Sequence, residues 1–424
     1  MTQLVSSGSG RTAGVGAIET AQSKGVGYLS RQPILDQRGG VFGYELDCHE
    51  PFGQKGEAGS SIASNGMLDA LALYGVRRLA AGAWGFVKCS LEMIIGDLFE
   101  GVPPELTVLE IPYQSEPSEK LIRACSRLKD IGFRLALLDF ESSKPKNPLV
   151  RLIDYIKVDW RNLEGSEWKG LQEQIRGTNV TVIADKVHTH QAFCKARALG
   201  INHFQGFYFC HPELLPNGRI PTNRAHYVEI LRQLFKDPLE LKTLCPLVSE
   251  DASLVYRVLR FVNSPLCVAR HPVTSIQDAI MILGDAAFRR IAALAIQSAL
   301  SRDQSPELLQ MALVRARFCA QAAPFCGLAS DEQYLLGMLS LLPPMLRVPM
   351  DTILHELPLR TEIREALAGT SSKERSLLTW IENLEDNRTS GCDEISAQYG
   401  LDRNTLAVLY LNSLDDGSNS AQIN

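Results

Sequence analysis

Long apolar runs are missing from this chain. Nowhere in its 424 residues do about 18 apolar residues stand together, so no bilayer-spanning helix is expected. The N-terminus has neither a basic start nor an apolar core. No secretory signal is expected, and the chain reads as cytoplasmic. A surplus of one charge is missing too: 43 Lys and Arg face 48 Asp and Glu, a net charge of −5. That balance excludes coating of nucleic acid through bulk charge. None of the ten cysteines forms a C-x-x-C pair, and the close spacing of four soft ligands that a structural zinc requires is absent. Scattered through apolar segments, they read as reduced, buried thiols. Cys48-His49 and Cys210-His211 are adjacent, but strand neighbours face opposite ways, so both pairs read as chance. What remains is ordinary globular composition, 45% hydrophobic and 21% charged, of a length that suggests two domains or three.

Residues 1–24 are rich in Ser, Gly, Thr and Ala and read as a disordered tail. From 26 to 212, short apolar runs alternate with amphipathic stretches such as 61–80, 116–131 and 190–199. The runs lie at 27–35, 43–46, 84–89, 106–111, 133–140, 155–159, 180–185 and 203–207. Alternation predicts parallel strands joined by crossover helices, and eight runs predict a (β/α)8-type barrel, an α/β fold. Nearly every run ends near a charged or amide residue: Glu45, Lys88, Glu110, Asp139, Asp159, Asp185, Gln205. In such a barrel these ends meet on one rim, where the fold places its sites. Any one of them alone reads equally well as a strand-end cap.

Residues 213–224 hold Pro216, Gly218 and Pro221 and read as a linker. Strand signals then vanish. Helices are predicted at 225–235, 251–262, 275–283, 286–300, 307–323, 331–342, 361–368, 373–384 and 403–413, with starts at Asp251 and Ser275 and an end at Gly284. Residues 225–424 are therefore an all-α domain.

In order and spacing, residues 28–212 resemble an EAL domain, the bacterial barrel that hydrolyses cyclic di-GMP. Arg31-Gln32-Pro33-Ile34 resembles its Q-P-I stretch, and Gly43-Tyr44-Glu45-Leu46 the segment of its signature glutamate. Val108-Leu109-Glu110 resembles its second glutamate strand, Leu138-Asp139-Phe140 its D-D-F-G loop, and Ile156-Lys157-Val158-Asp159 its K-I-D. Ile183 to Thr189 resembles I-A-E-G-V-E-T, and Gln205-Gly206-Phe207 the closing Q-G-Y. Residues 225–424 resemble an HDOD domain, a helical relative of HD hydrolases without their metal pair; Gly337-Met338-Leu339-Ser340-Leu341 stands where the His-Asp ligands would be. The combination resembles small EAL–HDOD signal-transduction proteins.

The resemblance implies phosphodiester cleavage with two Mg²⁺ or Mn²⁺ ions held by oxygen donors. Carried over by position, Glu45, Glu110, Asp139, Lys157, Asp159 and Gln205 match the family, and Asp185 is a shortened match. Lys88 stands in place of an asparagine ligand, Leu138 in place of a bridging aspartate, and His188 in place of a glutamate. His49 replaces a phosphate-contacting arginine. The expectation is a degenerate site with no catalytic residues and no cofactor, in which Lys88 acts as a built-in counterion to Glu45 and Glu110. Gln32 and Gln205 are the candidate ligand contacts. The expected role is regulatory: other signalling proteins bind through the HDOD domain, and cyclic di-GMP is a possible ligand. The alternatives are an active cyclic di-GMP phosphodiesterase and a non-hydrolysing cyclic di-GMP effector.

Between Leu254 and Arg317 stand eight Arg, no Lys and four acidic residues, with Arg289-Arg290 at the centre. An anion-binding face is the sharper reading. The simpler one, polar positions on amphipathic helices, is preferred, because aromatic interleaving is sparse and no helix-turn-helix signature stands out. Neither membrane nor nucleic acid is expected as a partner.

Overall fold

A computed structural model describes residues 28–49, 61–140, 147–163, 165–210, 221–264, 273–301 and 305–414. The tail read at 1–24 lies outside these residues, as does most of the linker read at 213–224. Eight strands close into a barrel in chain order. They are β1 (Tyr28–Asp36), β2 (Val41–His49), β3 (Trp84–Lys88), β4 (Thr107–Pro112), β5 (Arg134–Leu138), β6 (Tyr155–Asp159), β7 (Thr181–Asp185) and β8 (His203–Gln205).

Strands β2 to β8 run parallel, but β1 pairs antiparallel with both β2 and β8. This corrects the expectation of parallel strands throughout. Residues 37–40 make the β1–β2 connection a tight turn, in which Asp36 Oδ1 accepts from the Arg38 and Gly40 amides at 2.7 and 2.9 Å. A parallel crossover needs a dozen residues or more, so this link permits only a hairpin. Reversal also carries the first half of β1, with Gln32, to the same rim as the C-terminal ends of the other strands.

Around the barrel lie α1 (Ser61–Tyr74), α2 (Val76–Leu79), α3 (Leu91–Gly96), α4 (Glu119–Ile131), α5 (Ser166–Ile175) and α6 (His190–Ala198). Ser90, Ser118 and Thr189 begin α3, α4 and α6 by accepting from the amide three residues on, which satisfies an otherwise orphaned donor. Inside the barrel, Ile34, Phe86, Val108, Ala136, Tyr155 and Ile183 form one layer, with Phe42 and Trp84 packed against it. Strand alternation then puts Gln32, Lys88, Glu110, Leu138, Lys157 and Asp185 on the same inner face one step nearer the rim.

The rest of the chain is helical: α7 (Thr222–Leu234), α8 (Leu241–Ser249), α9 (Ala252–Val262), α10 (Ile276–Leu283), α11 (Asp285–Leu300), α12 (Pro306–Ala322) and α13 (Ser330–Leu339). It continues through α14 (Leu342–Leu346), α15 (Met350–Glu356), α16 (Thr361–Leu367), α17 (Lys373–Glu385), α18 (Thr389–Tyr399) and α19 (Arg403–Ser413). Asp251 and Ser275 cap α9 and α10 as expected. Helices α8, α14, α15 and α18 were not expected. Pro246 lies inside α8 and Gly391 inside α18, residues that weaken the local helical signal, and burial of Leu244, Ile353 and Cys392 holds these segments instead.

The two halves share a packed boundary. Helices α17 and α19 pack on β1, and the start of α12 reaches Tyr44 on β2, which α1 also contacts. The Tyr28 ring meets Trp380 edge-on at 5.7 Å, its hydroxyl donates to Asp393 Oδ1 at 2.7 Å, and Arg403 Nε donates to that hydroxyl at 3.0 Å.

Candidate functional site

The barrel rim gathers most of the residues singled out by sequence. Lys157 on β6 is 2% exposed and bridges Glu45 on β2 and Glu110 on β4, which are 5% and 0% exposed. Lys88 on β3 approaches the second oxygen of Glu45 at 3.1 Å and Asp47 Oδ2 at 2.5 Å. The ammonium between the two glutamates is therefore Lys157; Lys88 meets Glu45 as expected, but among the described residues no ion pair joins it to Glu110. Lys88 sits farther out, at the C-terminal end of β3, with its side chain 38% exposed. Asp47 was not singled out beforehand, although two residues after Glu45 on a strand means the same face. His49 lies 3.7 Å from Asp47 Oδ2 and 3.3 Å from Ser30 Oγ at the outer end of this row.

Burial raises the proton affinity of Glu45, but Lys157 and then Lys88 outweigh it and hold the carboxyl below the usual range. Glu110 goes the other way: burial dominates, the Glu45 charge adds to it, and Lys157 offsets only part, so its pKa is raised. Both lysines lose stability to burial, yet the carboxylates around them keep them protonated. Burial also raises Asp185.

Asp159 forms a second group. Arg161 donates to its two oxygens at 2.9 and 2.5 Å, and Lys186 lies 3.3 Å away. The Arg161 hydrogen bonds hold this carboxyl at about 2. Gln205 Nε2 donates to Gln32 Oε1 at 2.7 Å, so the two candidate ligand contacts are spent partly on each other. Asp139 and His188 are not brought in. Both are exposed, and neither makes a hydrogen bond or ion pair with the described residues. Leu138 occupies the inner-face position one residue before Asp139.

A pair of divalent cations requires several free oxygen donors. Here both Glu45 oxygens face ammonium groups, Leu138 supplies no oxygen, and Asp139 is exposed and makes no contact with the cluster among the described residues. Glu110 Oε2 and Gln205 Oε1 are buried without a hydrogen-bond partner, and Asp185, whose Oδ1 accepts from the Lys186 amide, adds a further carboxylate. As arranged, the residues do not fit two dications.

Several arginines of the 254–317 stretch are used within the helical half. Arg257 donates to Ser298 Oγ, Arg289 to the Leu234 and Lys236 carbonyls, and Arg315 is buried against Glu385. Arg290 pairs with Asp331 at 3.1 Å.

A family model described as the EAL domain matches residues 90–212, and one described as the HDOD domain matches residues 220–345. The chain therefore carries a region that matches the EAL domain followed by one that matches the HDOD domain. The EAL match begins beyond β3, so Glu45, Asp47 and Lys88 precede the matched segment. Over 399 residues the chain is 28% identical to the uncharacterized protein YuxH of Bacillus subtilis, spanning 92% of this chain and 97% of that one. It is 25% identical over 386 residues to the cyclic di-GMP phosphodiesterase CdgJ of Vibrio cholerae, spanning 88% of each. Among solved structures, an EAL domain protein of Listeria monocytogenes is 18% identical with a TM-score of 0.36, covering 43% of this chain and 87% of that one. A standalone EAL protein of Vibrio cholerae, solved with cyclic di-GMP bound, is 21% identical with a TM-score of 0.35, covering 43% of this chain and 90% of that one. Among the described residues, no helix is long and apolar enough to cross a membrane.

Proposed function

We propose that this protein acts in cyclic di-GMP signalling as a regulator whose EAL barrel does not hydrolyse the dinucleotide and whose HDOD half engages a protein partner. One observation carries the reading: Glu45 is neutralised from within the chain by Lys157 and Lys88. A dication about 4 Å from one ammonium meets a repulsion of about 8 kcal/mol at an effective dielectric near 20, twice that of a unit charge. The carboxylates that would offset this are already paired, and Leu138 adds no donor.

Incubation of the full chain with cyclic di-GMP and Mg²⁺ or Mn²⁺ tests the reading. No linear dinucleotide is expected. Product formed in proportion to added protein overturns it and favours the second reading, an active phosphodiesterase, which the relative CdgJ supports. Retained binding without turnover is a third reading, supported by the two unpartnered acceptors Glu110 Oε2 and Gln205 Oε1. Calorimetry with cyclic di-GMP distinguishes it, since a silent scaffold gives no heat. The partner search requires the full chain, because a 225–424 fragment would expose Trp380 and the other residues that cover β1.

A further inference from the structure

The two faces of β2 serve different halves of the molecule. Glu45 and Asp47 point to the rim, whereas Tyr44 points outward into the helical half. There its hydroxyl donates to Glu307 Oε2 at 2.6 Å, and both side chains are 2% exposed. Glu307 lies in the first turn of α12. Ser305, the N-cap of that helix, donates to the Gly39 carbonyl at 2.7 Å, within the β1–β2 turn. The start of α12 therefore holds the hairpin at two places, once on the strand and once at the turn. Arg31 of β1 closes the arrangement, with its guanidinium 4.3 Å from the centre of the Tyr44 ring. Near its middle α12 is tied to α17 through Arg315 and Glu385, paired at 2.6 Å. A buried hydrogen bond between two rigid elements transmits displacement, because losing it strands a polar group in the core.

We propose that Glu307 is a positioning residue for the rim. Through Tyr44 it fixes the placement of β2, so the helical half sets where Glu45 and Asp47 stand, and the state of the rim acts back on α12. The coupling goes beyond the reading of the barrel as non-hydrolysing and does not depend on it.

Hydrogen exchange of the full chain, read peptide by peptide, tests it. Tyr44→Phe and Glu307→Ala should speed exchange over 45–49 about tenfold and leave β5, β6 and β7 unchanged, the size expected for one lost buried hydrogen bond. Glu307→Gln keeps an acceptor for the Tyr44 hydroxyl and should stay near wild type. By linkage, Lys88→Asn should speed exchange in the first turn of α12. Unchanged exchange over 45–49 overturns the proposal, and so does uniform acceleration of all strands, which marks general loosening. If Glu307→Ala does not fold, Tyr44→Phe carries the same test, because it removes only a hydroxyl. Exchange needs no turnover. Hydrolysis of cyclic di-GMP by wild type would sink the silent-barrel reading while leaving this coupling to stand or fall on its own data.

Discussion

At the scale of single residues, the rim contrasts two lysines. Lys157 is buried between two carboxylates, whereas the Lys88 side chain is 38% exposed and touches the outer edge of the same group. Removing a buried partner costs far more than removing a screened one. Lys157→Met should destabilise the protein by about 3–5 kcal/mol, and Lys88→Met by about 1 kcal/mol, read as shifts in urea midpoint. An equal cost for the two would mean that Lys88 is as essential to the charge balance as Lys157. The inventory of Glu45, Glu110 and Lys157 was legible from motif positions. Which lysine bridges which glutamate was not, because that depends on how neighbouring strands stagger around the barrel.

At the scale of elements, strands were easier to read than helices. Strand β6 covers the same residues as the apolar run at 155–159, and β3 and β7 differ from their runs by one residue. Buried parallel strands are continuous apolar runs, and that signal is local. The direction of β1 was hidden in a four-residue turn, and α8, α14, α15 and α18 in the tertiary contacts that hold them. The β8 exit shows how strictly one element can constrain another. Gly206 has a φ of 135°, and a Cβ there would meet the Val187 backbone, with its carbonyl carbon at 2.6 Å and nitrogen at 2.7 Å. Neither atom belongs to a side chain that can swing away. Gly206→Ala should cost about 3 kcal/mol or more and lower the melting temperature accordingly. An unchanged melting curve would show that the β7–β8 link can shift freely.

At the scale of the whole molecule, the boundary between the halves contains a buried carboxyl that titrates in an accessible range. Burial holds Glu307 up to about 7, against an ordinary value of 4.5, and nearby Arg31 and the Tyr44 hydroxyl offset only part of that. Glu385, Tyr410 and the Cys210 thiol are its other titratable neighbours. The folded protein therefore binds this proton more tightly than the unfolded chain does. Its stabilising contribution is complete below pH 4.5 and is lost as pH rises to about 7. Relative to wild type, Glu307→Gln should remove a fall in stability on the order of 2–3 kcal/mol between those limits, measured by denaturation at several pH values. Parallel profiles for the two proteins would place the carboxyl in a more hydrated setting than the packing shows.

The sequence by itself determined the eight strand runs, the all-helical second half and the rim as the place where charged residues meet. Each of these depends on residue type and on spacing along one stretch of chain. Only the tertiary structure decided that β1 runs antiparallel, that Lys157 sits between Glu45 and Glu110, that Asp139 and His188 stay outside the cluster, and that Glu307 reaches Tyr44. These are contacts between residues far apart in the chain. Barrel closure and the burial of one hairpin face by three distant helices set them, and no local pattern of residues encodes such distances.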